Sequence, residues 1–299
     1  MPKQLSSTKK ATIISICVAL FLTIIKLFVG ILSGSVAVLA SAVDSLLDML
    51  VSVFNSFAIT KAEQPANAHF NYGKIKIEAI ASVLEGIVIT LSGVYLLYEG
   101  IEKYINNTNS SYLGLSLVII LISVFVTLAL VLYLQRVAKQ TNNMIIKADA
   151  LHYRTDLYTN IAVLVSLILV KITHYERLDG IVGAALALYI IYSSYSLIAE
   201  GVLVLLDRAI DEKVLEKIEN IIKEKKKITA YHQIKSRTAG NDIFLEVHLV
   251  FNCAMSLLEA HSVSDEVSDE IKELDTSKRW IILIHQDPYD DQDEQNTHG

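Results

Sequence analysis

The sequence predicts an α-helical membrane domain of six spans followed by a small α+β domain, and three observations carry that prediction. Of 299 residues, 53% are apolar and only 19% charged, and the mean hydropathy is +0.44, a balance unlike that of soluble domains. Long apolar stretches recur up to about residue 206, and beyond Asp207 the chain turns polar with short periodic apolar patterns. Lys and Arg total 26 against 32 Asp and Glu, a net charge of −6, which lacks the basic excess of a nucleic-acid partner. The two cysteines, Cys17 and Cys253, supply neither a disulfide framework nor a Cys-rich metal site. A transition metal would therefore be held by His and carboxylates.

A membrane-crossing helix needs about 20 mainly apolar residues. The first candidate, residues 11–32, has Lys26 as its one charge. No small-residue cleavage site follows it, so it reads as a retained helix and not as a signal peptide. Further spans are expected at 36–59, 77–97, 113–134, 145–170 and 181–198. Basic residues mark one side of the membrane: Lys3, Lys9 and Lys10 before span one, Lys61, Lys74 and Lys76 between spans two and three, and Arg136, Lys139 and Lys147 between four and five. The other side has Lys103, Lys171 and Arg177. The bias places both termini in the cytoplasm.

The tail has apolar positions Val214, Leu215, Ile218, Ile221 and Ile222 at helical spacing, then alternating patterns near 228–236 and 242–250. A second helix is expected over 257–274 and a strand over 279–287. The order αββαβ predicts two helices on a three-stranded sheet, a ferredoxin-like or metallochaperone-like fold. The expected division is 1–206 for the membrane domain, 207–288 for the cytosolic domain, and 289–299 as an acidic flexible tail carrying Asp290, Asp291, Asp293 and Glu294.

An Asp at the centre of a membrane helix costs about 2.5–3.5 kcal/mol on insertion scales, so each one calls for a reason. Span two has Asp44 and Asp48, and span five has His152 and Asp156. Each pair is four residues apart, hence on one helix face. Facing one another, the four side chains offer three oxygens and one nitrogen, enough for a tetrahedral divalent ion at about 2.0–2.2 Å. A lone buried Asp or His is more often a hydrogen-bonded structural group; two matched pairs point to a functional site. Lys26 could reach Asp44 and turn the constellation into a structural ion pair; its position late in span one instead lets it snorkel. Asp149 reads as a helix-start residue or as part of an ion entrance, and Asn160, one turn after Asp156, as a hydrogen-bond partner to it. Glu78 suits a helix N-terminus, and Glu85 is assigned no ligand role.

In the tail, His232, His248, His261, His285 and Asp287 lie on predicted strands and the second helix. His285 and Asp287 share a strand face because they are two apart. If His232 and His248 lie on adjoining strands with His261 on a helix near them, the five can bind one or two zinc-like ions; otherwise they are scattered surface histidines that never meet.

Taken together, Asp44-x-x-x-Asp48, His152-x-x-x-Asp156, the stretches Ser41-Ala42-Val43-Asp44-Ser45, Gln64-Pro65-Ala66 and Asp149-Ala150-Leu151-His152-Tyr153, and a tail ending in His285-Gln286-Asp287-Pro288 resemble the cation diffusion facilitator family, in its bacterial zinc and ferrous-iron efflux branch. The resemblance implies a homodimer in the inner membrane that exports divalent metal from the cytoplasm in exchange for protons, a transporter and not an enzyme. It implies Asp44, Asp48, His152 and Asp156 as the transport site. It implies His232, His248, His261, His285 and Asp287 as cytosolic sites for a structural or regulatory Zn2+ that bridge two tails, and Lys76 with Asp207 as a charge pair locking the protomers. Where relatives have a further Asp/His site after span two, this chain reads Asn67-Ala68-His69-Phe70-Asn71-Tyr72-Gly73-Lys74; His69 is its one strong donor and is displaced, so that site is expected to be missing.

One His among three carboxylates favours zinc over magnesium or calcium, which prefer all-oxygen shells. Cadmium, ferrous iron, cobalt and manganese remain compatible with it. An intramembrane metalloprotease is disfavoured because no H-E-x-x-H helix is present, and a channel because the donors would hold the ion too tightly for rapid conduction. A metal-responsive sensor without flux is the main rival, since its tail would look the same.

Overall fold

The computed structural model describes residues 2–33, 36–106, 114–173 and 177–290. Six long helices come first: α1 (Pro2–Ser33), α2 (Val36–Ala62), α3 (Ile77–Asn106), α4 (Gly114–Thr141), α5 (Met144–Thr173) and α6 (Arg177–Leu205). In hydrocarbon each backbone N–H and C=O needs an internal partner, which the helix supplies within one segment. All but α5 contain a stretch long and apolar enough to cross a bilayer. At 30 residues, α5 reaches about 45 Å, enough to cross, but Lys147, Asp149, His152, Arg154 and Asp156 interrupt its first half. Asp149 and His152 are buried among the other helices, while Phe28, Leu91, Phe125 and Ile172 on α1, α3, α4 and α5 stand more than 60% exposed. Apolar surface of that extent is what lipid covers. The helices run past the predicted spans because hydropathy marks only the part in hydrocarbon. Leu113, the expected start of span four, lies outside the described residues.

Within this unit α1 packs on α2 and α4, and α5 touches α1, α2, α3 and α4. Ala11, Ala58, Ile59, Leu134, Ile145 and Tyr153 share a buried core. The α3–α6 contact is built on small residues, as membrane helices require for close approach. Gly86, Gly93 and Gly100 recur every seventh position on α3. A Cβ on Gly100 would stand 2.8 Å from the Ala184 backbone nitrogen, and one on Gly180 would stand 2.5 Å from the Gly100 carbonyl oxygen. Thr90 Oγ1 and Ser194 Oγ, 2.8 Å apart, add a hydrogen bond across the same pair of helices.

The second unit begins at Leu203. Asp207, in the left-handed region at φ 57°, ends α6: its N–H donates to Val204 O at 3.3 Å and that of Arg208 to Leu203 O at 3.0 Å, a Schellman cap. There follow α7 (Glu212–Glu224), β1 (Ile228–Ala239), β2 (Asp242–Phe251), α8 (Leu257–Glu273) and β3 (Arg279–Asp287), the expected αββαβ order. The sheet order is β1-β2-β3. β1 and β2 form an antiparallel hairpin around Gly240. β2 and β3 are parallel, a pairing that needs a crossover, and α8 provides it. Leu245, Val247 and Leu249 face Val263, Val267 and Ile271 of α8 and Ile218 and Ile222 of α7 in one core. Ser256 caps α8 by accepting from Glu259 N at 3.2 Å. The acidic tail beyond Asp290 lies outside the described residues.

One irregularity in β1 decides which way a histidine points. His232 pairs with His248, whereas Lys235 pairs with Glu246, so β1 carries one residue more than β2 across this interval. Gln233 absorbs the extra residue at φ 50°. Such a bulge shifts the alternation of side chains: with unbroken pairing Gln233 would oppose His248, and His232 would face the helices.

The α3–α6 geometry yields a discriminating pair of variants. Gly100→Ala should cost about 1–3 kcal/mol of bundle stability through overpacking, read as a lower unfolding temperature in detergent. Gly183→Ala should cost little, because its Cβ would meet only Gly100 Cα at 3.8 Å.

Candidate metal centres

Two groups of metal-ligating side chains form, one in each unit. In the helical unit, Asp48 on α2 meets His152 and Asp156 on α5. His152 Nε2 lies 3.1 Å from Asp48 Oδ1 and 3.7 Å from Asp156 Oδ2. The three donor atoms lie within 4.8 Å of one another, a spacing that a modest closing of rotamers converts into coordination. Helical periodicity puts His152 and Asp156 on one face. What aims that face at α2 is a neighbouring contact, Tyr153 Oη to Ser52 Oγ at 2.9 Å, buried between the same two helices.

Several expected residues occupy other positions. Asp44, one turn earlier on α2, is exposed and stands outside the group of three; four residues of rise, about 6 Å, separate its Cα from that of Asp48 along the axis. Lys26 does not snorkel. It is 8% exposed, and its Nζ donates to Ser45 Oγ at 2.7 Å and to Ser41 O at 3.4 Å, because α1 packs against α2 and offers it hydroxyl and carbonyl partners there. Asn160 donates to the Asp156 main-chain carbonyl at 2.9 Å, so it secures the helix and not the carboxylate.

Asp149 does not start the helix, which begins at Met144. Asn143 caps α5 through Ile146 N at 3.1 Å, while Asp149 is fully buried. Its Oδ2 accepts from Ser15 Oγ on α1 at 2.7 Å. Asn55 Nδ2 on α2 donates to Asp149 Oδ1 at 3.4 Å and to Glu85 Oε2 on α3 at 3.0 Å. Ser15 and Asn55 escaped the sequence reading because neither belongs to a pattern. Glu85 had a signal, an acid within a span, that pointed to no partner.

In the tail, His232, His248 and His285 sit side by side on β1, β2 and β3, since His232 pairs with His248 and His248 with His285. The bulge at Gln233 is what gives His232 that face. Asp287 is the hub: its Oδ2 lies 2.9 Å from His248 Nδ1 and 3.4 Å from His232 Nε2, and its Oδ1 lies 3.1 Å from His285 Nε2. Asp290, expected in the flexible end, places Oδ1 3.6 Å from His232 Nδ1. Imidazoles converging on one carboxylate form a donor set suited to zinc-like ions. His261 does not join them in the same chain; its side chain is 64% exposed and 3.4 Å from Asp265 one turn on.

Asp207 accepts from Arg237 Nη1 at 3.3 Å, and the guanidinium also stacks over Phe244. Lys76 lies in the turn entering α3, where its carbonyl accepts from Ile80 N at 3.1 Å. In the loop after α2, the Asn67 side-chain oxygen is taken up by the N–H groups of His69 and Phe70, both at 3.0 Å.

Comparison with known proteins places both units in a family. Residues 12–206 match the family model described as the cation efflux transmembrane domain, and residues 210–289 match the cytoplasmic domain of cation efflux proteins. Among similar curated proteins, the cation-efflux pump FieF of Shewanella oneidensis is 35% identical over 280 residues, 94% of each chain. Protein p34 of Rickettsia rickettsii is 32% identical over 281 residues, 94% of this chain and 92% of that one. The cation-efflux pump FieF of Yersinia enterocolitica is 32% identical over 287 residues, 96% of this chain and 95% of its own. With both domain models matched in order and relatives aligned along nearly the full length, this multi-pass membrane protein belongs to the cation efflux, or cation diffusion facilitator, family.

Proposed function

We propose that this chain exports a divalent metal cation, Zn2+ foremost, from the cytoplasm in exchange for protons, by alternating access around Asp44, Asp48, His152 and Asp156. The observation that carries the proposal is the meeting of Asp48, His152 and Asp156 across α2 and α5, inside a helical domain. Asp44 is the donor that has to move, by a rotamer change or a shift of α2, to complete a four-donor shell. Carboxylates and imidazole bind metal through lone pairs that protons also use, so affinity falls as pH falls. A site that binds on the cytoplasmic side and is protonated on the other therefore moves metal and protons in opposite directions. The single imidazole favours zinc over calcium or magnesium; Fe2+, Mn2+ and Cd2+ are the alternative cargoes.

In this reading the protein works as a homodimer with both termini in the cytoplasm of a bacterial inner membrane. The match of the tail to the cytoplasmic domain of cation efflux proteins supports the placement. His232, His248, His285 and Asp287 hold a structural or regulatory Zn2+, which supplies a rigid cross-link between strands. His261, exposed on α8, serves as a donor toward the second copy, and Lys76 with Asp207 secures the protomers. A sensor without flux would use the same tail group, and flux is what separates the two readings.

Two measurements follow. In proteoliposomes, Asp48→Ala or His152→Ala should reduce Zn2+ movement and the opposing proton movement at least about 100-fold, the upper range for disturbing even the supporting partners of a metal; parent-like rates would refute the site. For the tail, deleting Gln233 should lower the metal retained by the full-length protein as much as Asp287→Ala does, as read by elemental analysis. Gln233→Gly should retain it, because glycine accepts the positive φ.

A further inference from the structure

We propose that Glu85 and Asp149 together hold one exchangeable proton beside the transport site, separate from the metal ligands themselves. The inference rests on the transport reading of Asp48, His152 and Asp156 and extends it to groups that are not ligands.

Four helices contribute to the cluster. Ser15 comes from α1, Asn55 from α2, Glu85 from α3 and Asp149 from α5, and all four are buried, Glu85 at 3% exposure and the others at 0%. Ser15 gives its hydroxyl hydrogen to Asp149, and Asn55 gives its two amide hydrogens to Asp149 and Glu85. Two atoms are left with no partner among the described residues, Glu85 Oε1 and Asn55 Oδ1. Both are acceptors, so the cluster lacks a donor and not an acceptor. Most buried polar groups are satisfied, and a protonated carboxyl is a donor that an ionised one is not. One hydrogen on Glu85 supplies it.

Among the charged surroundings, the neighbouring carboxylates act in the same direction, and a protonated His152 acts against it. The titratable groups facing the pair are Asp48 from α2 and His152, Tyr153 and Asp156 from α5. Lys26 of α1 is engaged with Ser45 and Ser41, and Lys147 is paired with Glu200 at 2.8 Å. No Lys or Arg among the described residues forms an ion pair with Glu85 or Asp149. A metal ion held by the pair itself fits less well, because the Asn55 amide nitrogen donates toward both carboxyls, where a cation would sit.

Asp149 lies one turn before His152 on α5, close enough for charge at one to act on the other. When a doubly charged ion enters the group formed by Asp48, His152 and Asp156, its field stabilises a second negative charge on the pair. The O–H bond of the carboxyl then breaks, its electrons stay on the carboxylate, and the proton passes to water. Metal binding thereby releases a proton that no ligand has to give up, and reprotonation of the pair favours metal release.

The test uses the full-length protein in detergent, with Asp287→Ala as background so that the tail contributes little, and Zn2+ as the probe. Protons released per Zn2+ bound are obtained by titration calorimetry in buffers of different ionisation enthalpy. Glu85→Gln, which mimics the protonated carboxyl, should keep the Zn2+ stoichiometry of the background protein and lower proton release by up to one per ion. Asp149→Asn should act in the same direction. Infrared difference spectra of the background protein should lose a protonated-carboxyl carbonyl band on Zn2+ addition. Unchanged proton release in both variants with no such band overturns the inference, and so does loss of a bound Zn2+ in Glu85→Gln, which would make the pair a metal site. Failure of the underlying reading is distinct: Asp48→Ala would then bind Zn2+ as the background protein does.

Discussion

A carboxylate in a hydrocarbon slab has to be compensated, and the helical unit is arranged around that requirement. Removing an ion from water without a partner costs far more than any single packing contact returns. This explains why α5, the least apolar of the long helices, is also the one that touches α1, α2, α3 and α4. Its acidic and imidazole groups meet hydroxyls, an amide and other acids on those neighbours, while many large apolar side chains of the long helices stand exposed. Close packing elsewhere serves the same end. Glycines let α3 and α6 approach until backbones nearly touch, and the Tyr153–Ser52 hydrogen bond fixes the facing of α2 and α5 near Asp48, His152 and Asp156.

The tail solves a related problem in water by different means. His232, His248 and His285 sit on neighbouring strands at matching register, where a sheet places side chains about 5 Å apart, and the Asp287 carboxylate reaches all three. Rigid strands support such a group more firmly than loops do. The sheet's other face is closed by α7 and α8, so the donor face can change its occupancy without unpacking the core. That separation suits the structural or regulatory role proposed for the group.

Much of this architecture could be read from the sequence, because the relevant periods are short. Apolar stretches of span length gave the helices, and the i, i+4 spacing of His152 and Asp156 gave a common face. The αββαβ order followed from alternation and helical spacing in the tail. What escaped the sequence depends on which residues meet across elements. Lys26 turned toward Ser45 because α1 packs on α2, and nothing in either segment alone says so. His232 reached its neighbours through an extra residue in β1, which a period-2 pattern cannot announce. Asp149, placed near an entrance by its position in α5, became buried once α1, α2 and α3 closed over it. Asp44 shows the converse: a shared helix face makes two acids neighbours along the axis but does not bring both to one point on another helix.

The central claim is that one ion is held between α2 and α5 by Asp48, His152 and Asp156. Anomalous X-ray diffraction from crystals of the full-length protein grown with Zn2+, measured on either side of the zinc absorption edge, tests it most directly. The account predicts an intramembrane peak about 2.0–2.1 Å from His152 Nε2, shared with the carboxylates of Asp48 and Asp156. A zinc peak within the helical domain that is remote from His152, with these three side chains still bonded only to one another, would contradict it.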